Sequence, residues 1–433
     1  MSSILTNTSA MVALQTLKSI NMNLSKTQDM ISTGKSVASA KDDAAIWAIS
    51  KVMESDVKGF EAIQSSLSLG ESTVAVAREA SETVTDLLTQ MKEKVVASQE
   101  ENVDREKIQT DINALKDQIS AVVGAAQFNG LNLLSNLETT AGSGTVNILS
   151  SLDRSANGVA ASEIAVGKQD LNTQKAALAG TWTAAAAGNA TLNATQSATI
   201  TISTAPTAAG EVYALTVFGT DADNSTFTQA DYRTAAAITP ANAGELDEIL
   251  YVTKDGDTLG DIAKGLEEAY AIYAANNNID AENVLTVTAS GNGLAISSTV
   301  TDATDSIQVQ VSTGTAGAGA VATIGGGLGA LTDINVETSS GADSALIAIE
   351  YMIQRGIDSA ASFGSAQGRI ETQTEFVSGL TDAMKKGIGS LVDADMEAAS
   401  ARLQALQVQQ QLATQSLSIA NQAPQAILQL FRS

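Results

Sequence analysis

The chain has 433 residues, enough for roughly two or three domains with their own cores, and its 44% hydrophobic content excludes general disorder. Aromatics make up only 3%, so Ala, Leu, Ile and Val must fill the core, which favours thin helical layers over one large globule. A net charge of −24 excludes a phosphate-binding role, and the absence of Cys and His excludes a zinc site, a thiol nucleophile and a histidine-based triad.

Met1-Ser2-Ser3-Ile4-Leu5 opens without a basic or an apolar stretch, so no cleavable secretory signal is expected. No apolar run reaches the roughly 18 residues of a membrane span. Leu14, Leu17, Asn21, Leu24, Gln28 and Ile31 alternate in steps of three and four, which predicts a coiled-coil helix that Gly34 stops. A polar connection at 36–43 leads to a longer seam that includes Ile46, Ile49, Met53, Phe60, Ile63, Leu67, Val74, Val84, Leu88, Met91 and Val95. After the polar break at 99–104, Ile108, Ile112, Leu115, Ile119 and Val122 predict another helix, and Gln127-Phe128-Asn129-Gly130 the turn that ends it.

Between 138 and 341 the composition shifts to Ala, Thr, Gly and Ser. Residues 198–204 and 212–218 alternate as strands, and 261–275 reads as an amphipathic helix. Residues 284–289 and 294–298 form a hairpin around Gly291-Asn292-Gly293, and 306–312 is expected to close it. Strand pair, helix, strand pair suggests an α+β module, with 313–329 as a flexible return. The region is acidic, including Asp221, Asp223, Asp231, Glu245, Asp247, Glu248, Asp255, Asp257, Asp261, Glu267 and Glu268. Asp255-Gly256-Asp257 lacks the rest of a calcium-loop series, and too few aromatics are present to stack on a sugar, so a solvated acidic surface is expected.

From 342 onward the helical pattern returns. Leu346, Ile349, Ile353, Phe363, Ile370, Val377, Leu380 and Met384 predict one long helix that Gly387 and Gly389 loosen. Asp393 or Asp395 is placed to cap the next, in which Met396, Ala399, Leu403, Leu406, Gln410, Ala413, Leu417, Ala420, Ile427 and Phe431 keep the spacing, with Pro424 expected to kink or end it. The fold class is therefore mostly α terminal regions, with long helices and coiled-coil pairing of the two termini, around a central α+β, β-rich insertion.

Residues 2–17 and 403–431 contain no Asp, Glu, Lys or Arg. A solvated helix face normally carries charge. Helices polar yet uncharged all round suit packing against many copies, where any charge would be multiplied. On this reading the chain is a structural, self-polymerising subunit and not an enzyme, with no cofactor and no metal.

The two ends together resemble bacterial flagellin. The resemblance rests on Ser32-Thr33-Gly34, Ser39-Ala40-Lys41-Asp42-Asp43-Ala44-Ala45 and Gln127-Phe128-Asn129-Gly130-Leu131-Asn132-Leu133-Leu134 in the first half. In the second half it rests on Gly368-Arg369-Ile370, Val392-Asp393-Ala394-Asp395-Met396 and Ala420-Asn421-Gln422-Ala423-Pro424-Gln425-Ala426-Ile427-Leu428, and Ile46-Trp47-Ala48 is most similar to the alphaproteobacterial branch. The resemblance implies an extracellular filament subunit used for swimming, exported without signal cleavage by the flagellar secretion apparatus; the alternative within the superfamily is a hook–filament junction protein. It implies segments 1–43 and 393–433 as an inner helical layer, 44–137 and 342–392 as a second layer, and 138–341 as a surface-exposed domain. The implied subunit contacts of the inner layer are Leu14, Leu17, Leu24, Ile31, Met396, Leu403, Leu406, Leu417, Ile427 and Phe431. The implied partners are further copies in a homopolymer, an export chaperone at the C-terminus, and filament-cap and hook-junction proteins, with no nucleic acid and no membrane. Basic residues usual in the segment read by plant immune receptors are replaced by Asp29, Met30 and Ser36. Gln90 stands where an arginine is usual in the helix read by the animal receptor, beside Lys92, Glu93 and Lys94, so weak recognition by both receptors is expected.

Overall fold

The computed structural model describes residues 7–155, 158–193, 196–228, 232, 249–277, 284–300 and 304–430. Six helices dominate it, and short polar side chains set their ends. α1 (Thr8–Thr33) starts where the Asn7 side chain accepts from the Ala10 N–H and stops at Gly34, whose φ of 69° favours glycine. α2 (Ala44–Ser98) starts where Asp43 accepts from the Ala45 and Ile46 N–H groups. α3 (Arg105–Ala125) is capped by Asp104, and α4 (Leu259–Asn276) by a reciprocal Thr258–Asp261 capping box. α5 (Ser339–Val392) precedes α6 (Met396–Leu430), whose Glu397 and Ala398 N–H groups bind the Asp395 carboxylate.

The long helix expected up to 392 is present, and Pro424 does not end the helix that follows it. α5 runs unbroken through Gly387 and Gly389, because each glycine costs only about 1 kcal/mol in a helix interior. α6 continues through Pro424 to Leu430; a proline removes one rung of the hydrogen-bond ladder and leaves the flanking turns in place.

The chain packs as two compact units. One comprises Met1–Ser65, Ser151–Ala160 and Thr374–Ser433. In it Phe60, Ile63 and Val377 are buried, and Glu61 pairs with both Lys58 and Lys385. Gly59 lies where any Cβ would come within 2.8 Å of the Leu152 side chain.

The other comprises Ser66–Ser150 and Ala161–Gln373. Its helical part buries the α2 seam from Leu67 to Val95 against residues that include Ile112 and Ile119 of α3 and Ile349, Phe363 and Ile370 of α5. Gly356 leaves room for Thr85, whose hydroxyl would stand 2.5 Å from a Cβ there. After α3, β1 (Gln127–Phe128) and β2 (Leu131–Asn132) form a tight hairpin in which Asn129 and Gly130 have φ of 51° and 80°, as a type I′ turn demands.

Eleven further strands follow among the described residues: β3 (Thr145–Ser155), β4 (Gly158–Gly167), β5 (Ala177–Ala179), β6 (Trp182–Leu192), β7 (Ser197–Thr201), β8 (Val212–Thr220), β9 (Leu250–Val252), β10 (Leu285–Ser290), β11 (Gly293–Ser298), β12 (Ser306–Ala316) and β13 (Val321–Thr323). They form a four-stranded sheet in the order β6-β12-β8-β9, a three-stranded sheet in the order β10-β11-β7, and the ribbons β3-β4 and β13-β5. Both larger sheets and α4 share one core, to which Ile200, Tyr213, Ile262, Leu266, Leu294 and Val309 belong. This confirms the α+β insertion but changes its pairing. β7 and β8 do not pair with each other, and β12 does not close the β10–β11 hairpin: it lies between β6 and β8, with Ile307, Val309 and Val311 fully buried. The supposed flexible return carries the end of β12, then β13, and buries Ile324 and Leu328.

Candidate functional site: the helical ends

The connections that follow α1 and precede α6 meet at one joint. The Ser36 N–H donates to the Val392 carbonyl at 2.7 Å, the Ala394 N–H donates to the Gly34 carbonyl at 2.9 Å, and Lys35 and Asp393 form an antiparallel bridge. Within the joint the Ser39 N–H and hydroxyl both donate to the Asp42 carboxylate at 3.0 Å. These two bonds hold the Asp42 carboxyl below the usual range.

From this joint α1 and α6 run antiparallel. The Asn21 side chain accepts from Gln410 at 2.8 Å, and at the far end the Asn7 amide donates to the Ala420 carbonyl at 2.8 Å. On α6 the shielded residues are Ala399, Leu403, Leu406, Gln410, Ala413, Leu417 and Ala420, at the spacing read from sequence; Met396 before them is exposed. On α1 the shielded residues are Ala10, Ala13, Leu17, Ile20, Leu24, Thr27, Met30 and Ile31. Leu17, Leu24 and Ile31 thus face α6, whereas Leu14 is 58% exposed and points elsewhere. Alanines fill the positions next to it, and a sequence criterion weighted toward Leu passes over them. The side chain of Ile427, and Phe431 altogether, lie outside the described residues.

The pair therefore spends one face on itself and leaves others bare. Met11, Val12, Leu14 and Met22 on α1, and Val408, Leu412 and Ile419 on α6, are all more than half exposed. All but Met22, which lies between Lys18 and Lys26, stand on stretches whose other exposed side chains are Gln, Ser, Thr, Asn and one Ala, without charge over 8–17 and 403–422. Exposed apolar side chains on an uncharged surface, repeated along two helices, are a face that another surface could cover without burying charge.

The helix segment at Gln90 is arranged differently. Gln90 and Glu93 are exposed, Lys92 pairs with Glu350 of α5, and Lys94 pairs with Asp111 of α3 at 2.6 Å. Both lysines are engaged within the fold, and the outward face carries an amide and a carboxylate.

The central carboxylates are largely structural. Asp255 Oδ2 accepts the Gly144 N–H, and Asp257 Oδ2 accepts the Lys254 N–H and the Tyr251 hydroxyl. Burial raises the Asp257 carboxyl above its usual range, against those hydrogen bonds. Asp221 is not part of a solvated surface: it is buried and accepts from the N–H groups of Asp223, Ser225, Thr226 and Phe227. Burial opposes its ionisation, yet these four donors hold the carboxyl far below the usual range. Asp221, Asp223 and Asp305 bring one carboxylate oxygen each within 4.8 Å of one another, an arrangement whose sequence signal is Asp221-x-Asp223-x-Ser225. The Ser225 and Thr226 hydroxyls donate to Asp305, which ties the cluster together internally. Asp231, Glu245, Asp247 and Glu248 lie outside the described residues. Among the described residues no helix is long and apolar enough to cross a membrane.

Comparison with known proteins bears on the same ends. The family model described as the bacterial flagellin N-terminal helical region matches residues 4–139, and that of the bacterial flagellin C-terminal helical region matches residues 347–431. Flagellin A of Rhizobium meliloti is 35% identical over 438 aligned positions, and flagellin B of the same species is 36% identical over 440, each alignment covering 100% of both chains. Among solved structures, FliC from Burkholderia pseudomallei is similar over 69% of this chain and 99% of that one, at 12% identity and a TM-score of 0.30.

Proposed function

The chain belongs to the bacterial flagellin family and is a structural subunit of the flagellar filament, outside the cell; from that premise we propose that the α1–α6 pair, through its uncharged stretches, is the surface through which its copies polymerise. The observation that carries this reading is the row of bare apolar residues Met11, Val12, Val408, Leu412 and Ile419 on helix stretches without charge, 8–17 and 403–422. The contact set extends to Leu14, Leu17, Leu24, Ile31, Met396, Leu403, Leu406, Leu417, Ile427 and Phe431. Some of these close the pair and others meet the next copy.

The absence of charge is physically required in such a place. Two like charges about 4 Å apart at an effective dielectric of about 20 repel by about 4 kcal/mol, and a helical polymer would repeat that cost at every subunit. The proposed arrangement puts segments 1–43 and 393–433 innermost, 44–137 and 342–392 around them, and 138–341 outside, where solvent screens the acidic charge. Export without signal cleavage, an export chaperone on the C-terminal helix, and contacts with filament-cap and hook-junction proteins belong to the same proposal. A hook-junction role is less well supported, since both family regions and full-length relatives named flagellin match.

The test places a charge on the bare face. Val408→Glu with Leu412→Glu should leave the far-ultraviolet circular dichroism of the monomer unchanged, because both side chains are exposed. Electron microscopy of the concentrated variant should then show no filaments. Filaments of normal length from that variant would refute the proposal.

A further inference from the structure

The central module has a core of its own: the buried members of the cluster shared by both sheets and α4 all lie between Ala187 and Val311. Its attachment to the segments that pack with α2 and α5 combines a small apolar cluster, in which Trp182, Val212 and Val252 meet Ile324, with pairs of opposite charge. Lys254, just after β9, places Nζ 2.7 Å from Asp170 Oδ2, with side chains only 7% and 6% exposed. The Arg355 guanidinium on α5 pairs with Glu268 on α4. Next to Lys254, Asp255 accepts the Gly144 N–H through its carboxylate and the Asn136 amide through its carbonyl.

Beside the two charge pairs lies a solvent-open pocket of about 280 Å³, bordered by Tyr251, Lys254, Glu268 and Arg355. A pocket open to water at this point leaves the apolar packing between module and helical part incomplete. Two buried atoms of these pairs lack an aligned hydrogen-bond partner, Asp170 Oδ2, whose contact with Lys254 is a charge contact only, and Arg355 Nε. The module's side of the joint is stiff. Tyr251 donates to Asp257, and its ring lies where a Cβ at Gly265 would come within 2.2 Å.

We propose that the Lys254–Asp170 and Arg355–Glu268 pairs form an ionic joint that sets the orientation of the central module on the helical part of its unit. Charge pairs hold direction where the apolar contact is small, and replacing a whole pair by apolar side chains removes that direction without leaving a buried charge. The module then tilts about the connecting strands. This goes beyond polymerisation and does not depend on it.

The chain contains no cysteine, so a labelled pair can be introduced cleanly. Nitroxide labels at Thr286→Cys on β10 and Ala361→Cys on α5, both exposed, report the distance between module and helices in the full-length monomer. The parent should give a narrow distance distribution. Glu268→Gln, and separately Lys254→Met with Asp170→Leu, which leaves no orphan charge, should each broaden it at least twofold. The near-ultraviolet tyrosine signal and the helical circular dichroism should stay unchanged. Distributions as narrow as the parent's in both variants would overturn the proposal. Loss of the tyrosine signal in the doubly substituted chain would also overturn it, since the pair would then belong to the module's folding core and not to a separable joint.

Discussion

Gly70 and Gly364 are both helical glycines, and their surroundings predict opposite effects of adding a side chain. A Cβ at Gly70 would meet the Ile148 side chain at 2.6 Å, whereas nothing lies within 4 Å of one at exposed Gly364. Gly70→Val should therefore destabilise the monomer by about 1–3 kcal/mol, and Gly364→Ala should stabilise it by about 0.5–1 kcal/mol, both read from denaturant midpoints. Asp221 makes a pH prediction. Its carboxyl is held below the usual range in the fold, so its stabilisation is present above the unfolded value of about 3.9 and is lost as pH falls through the folded one. Asp221→Asn should lower the melting temperature of the central module at neutral pH and flatten its loss below about pH 4. Five of the six tyrosines lie between 213 and 273, so near-ultraviolet circular dichroism reads that module directly. The sequence placed Asp221 on an acidic surface because a carboxylate buried by backbone donors looks the same, letter by letter, as one facing water.

At the scale of elements, periodicity was most informative where packing is most regular. From Phe60 to Val95 the seam of α2 is buried as read, and α6 is shielded at the residues read between Ala399 and Ala420. It was less informative at the first turns of α2, where Ile49 is 54% exposed, and on α1, where small alanines and not Leu14 complete the contact. The β6 strand went unseen because Thr-Ala-Ala-Ala-Ala-Gly-Asn carries little of the β-branched or aromatic character that marks a strand. Only its partner β12, more than a hundred residues later, makes it one. Leu406 is buried in the thin α1–α6 contact, so Leu406→Ala should cost about 2 kcal/mol or more and hasten amide exchange along α1 before α2 responds.

For the whole molecule, the charge distribution governs assembly. The net charge of −24 lies outside the bare stretches of α1 and α6, so approaching copies repel through everything except the surfaces proposed to join. Raising salt from about 0.01 M to about 0.15 M shortens the screening length from about 30 Å to about 8 Å, and the critical concentration for polymerisation should fall accordingly. The motifs that carry the family likeness are mostly structural devices: Gly34, Asp42 and Asp43, Asn129-Gly130, and Asp393 to Asp395 set helix ends, a turn and the joint between connections. They were legible because each demands a particular residue type at a particular backbone geometry. The surface that copies share was legible mainly as something missing, the charge. The most direct test is a reconstruction of the filament from electron micrographs that traces both helical ends. The account predicts α1 and α6 innermost, with Met11, Val12, Val408 and Leu412 covered by neighbouring copies. Finding α1 and α6 on the outer surface, with those side chains in solvent, would contradict it.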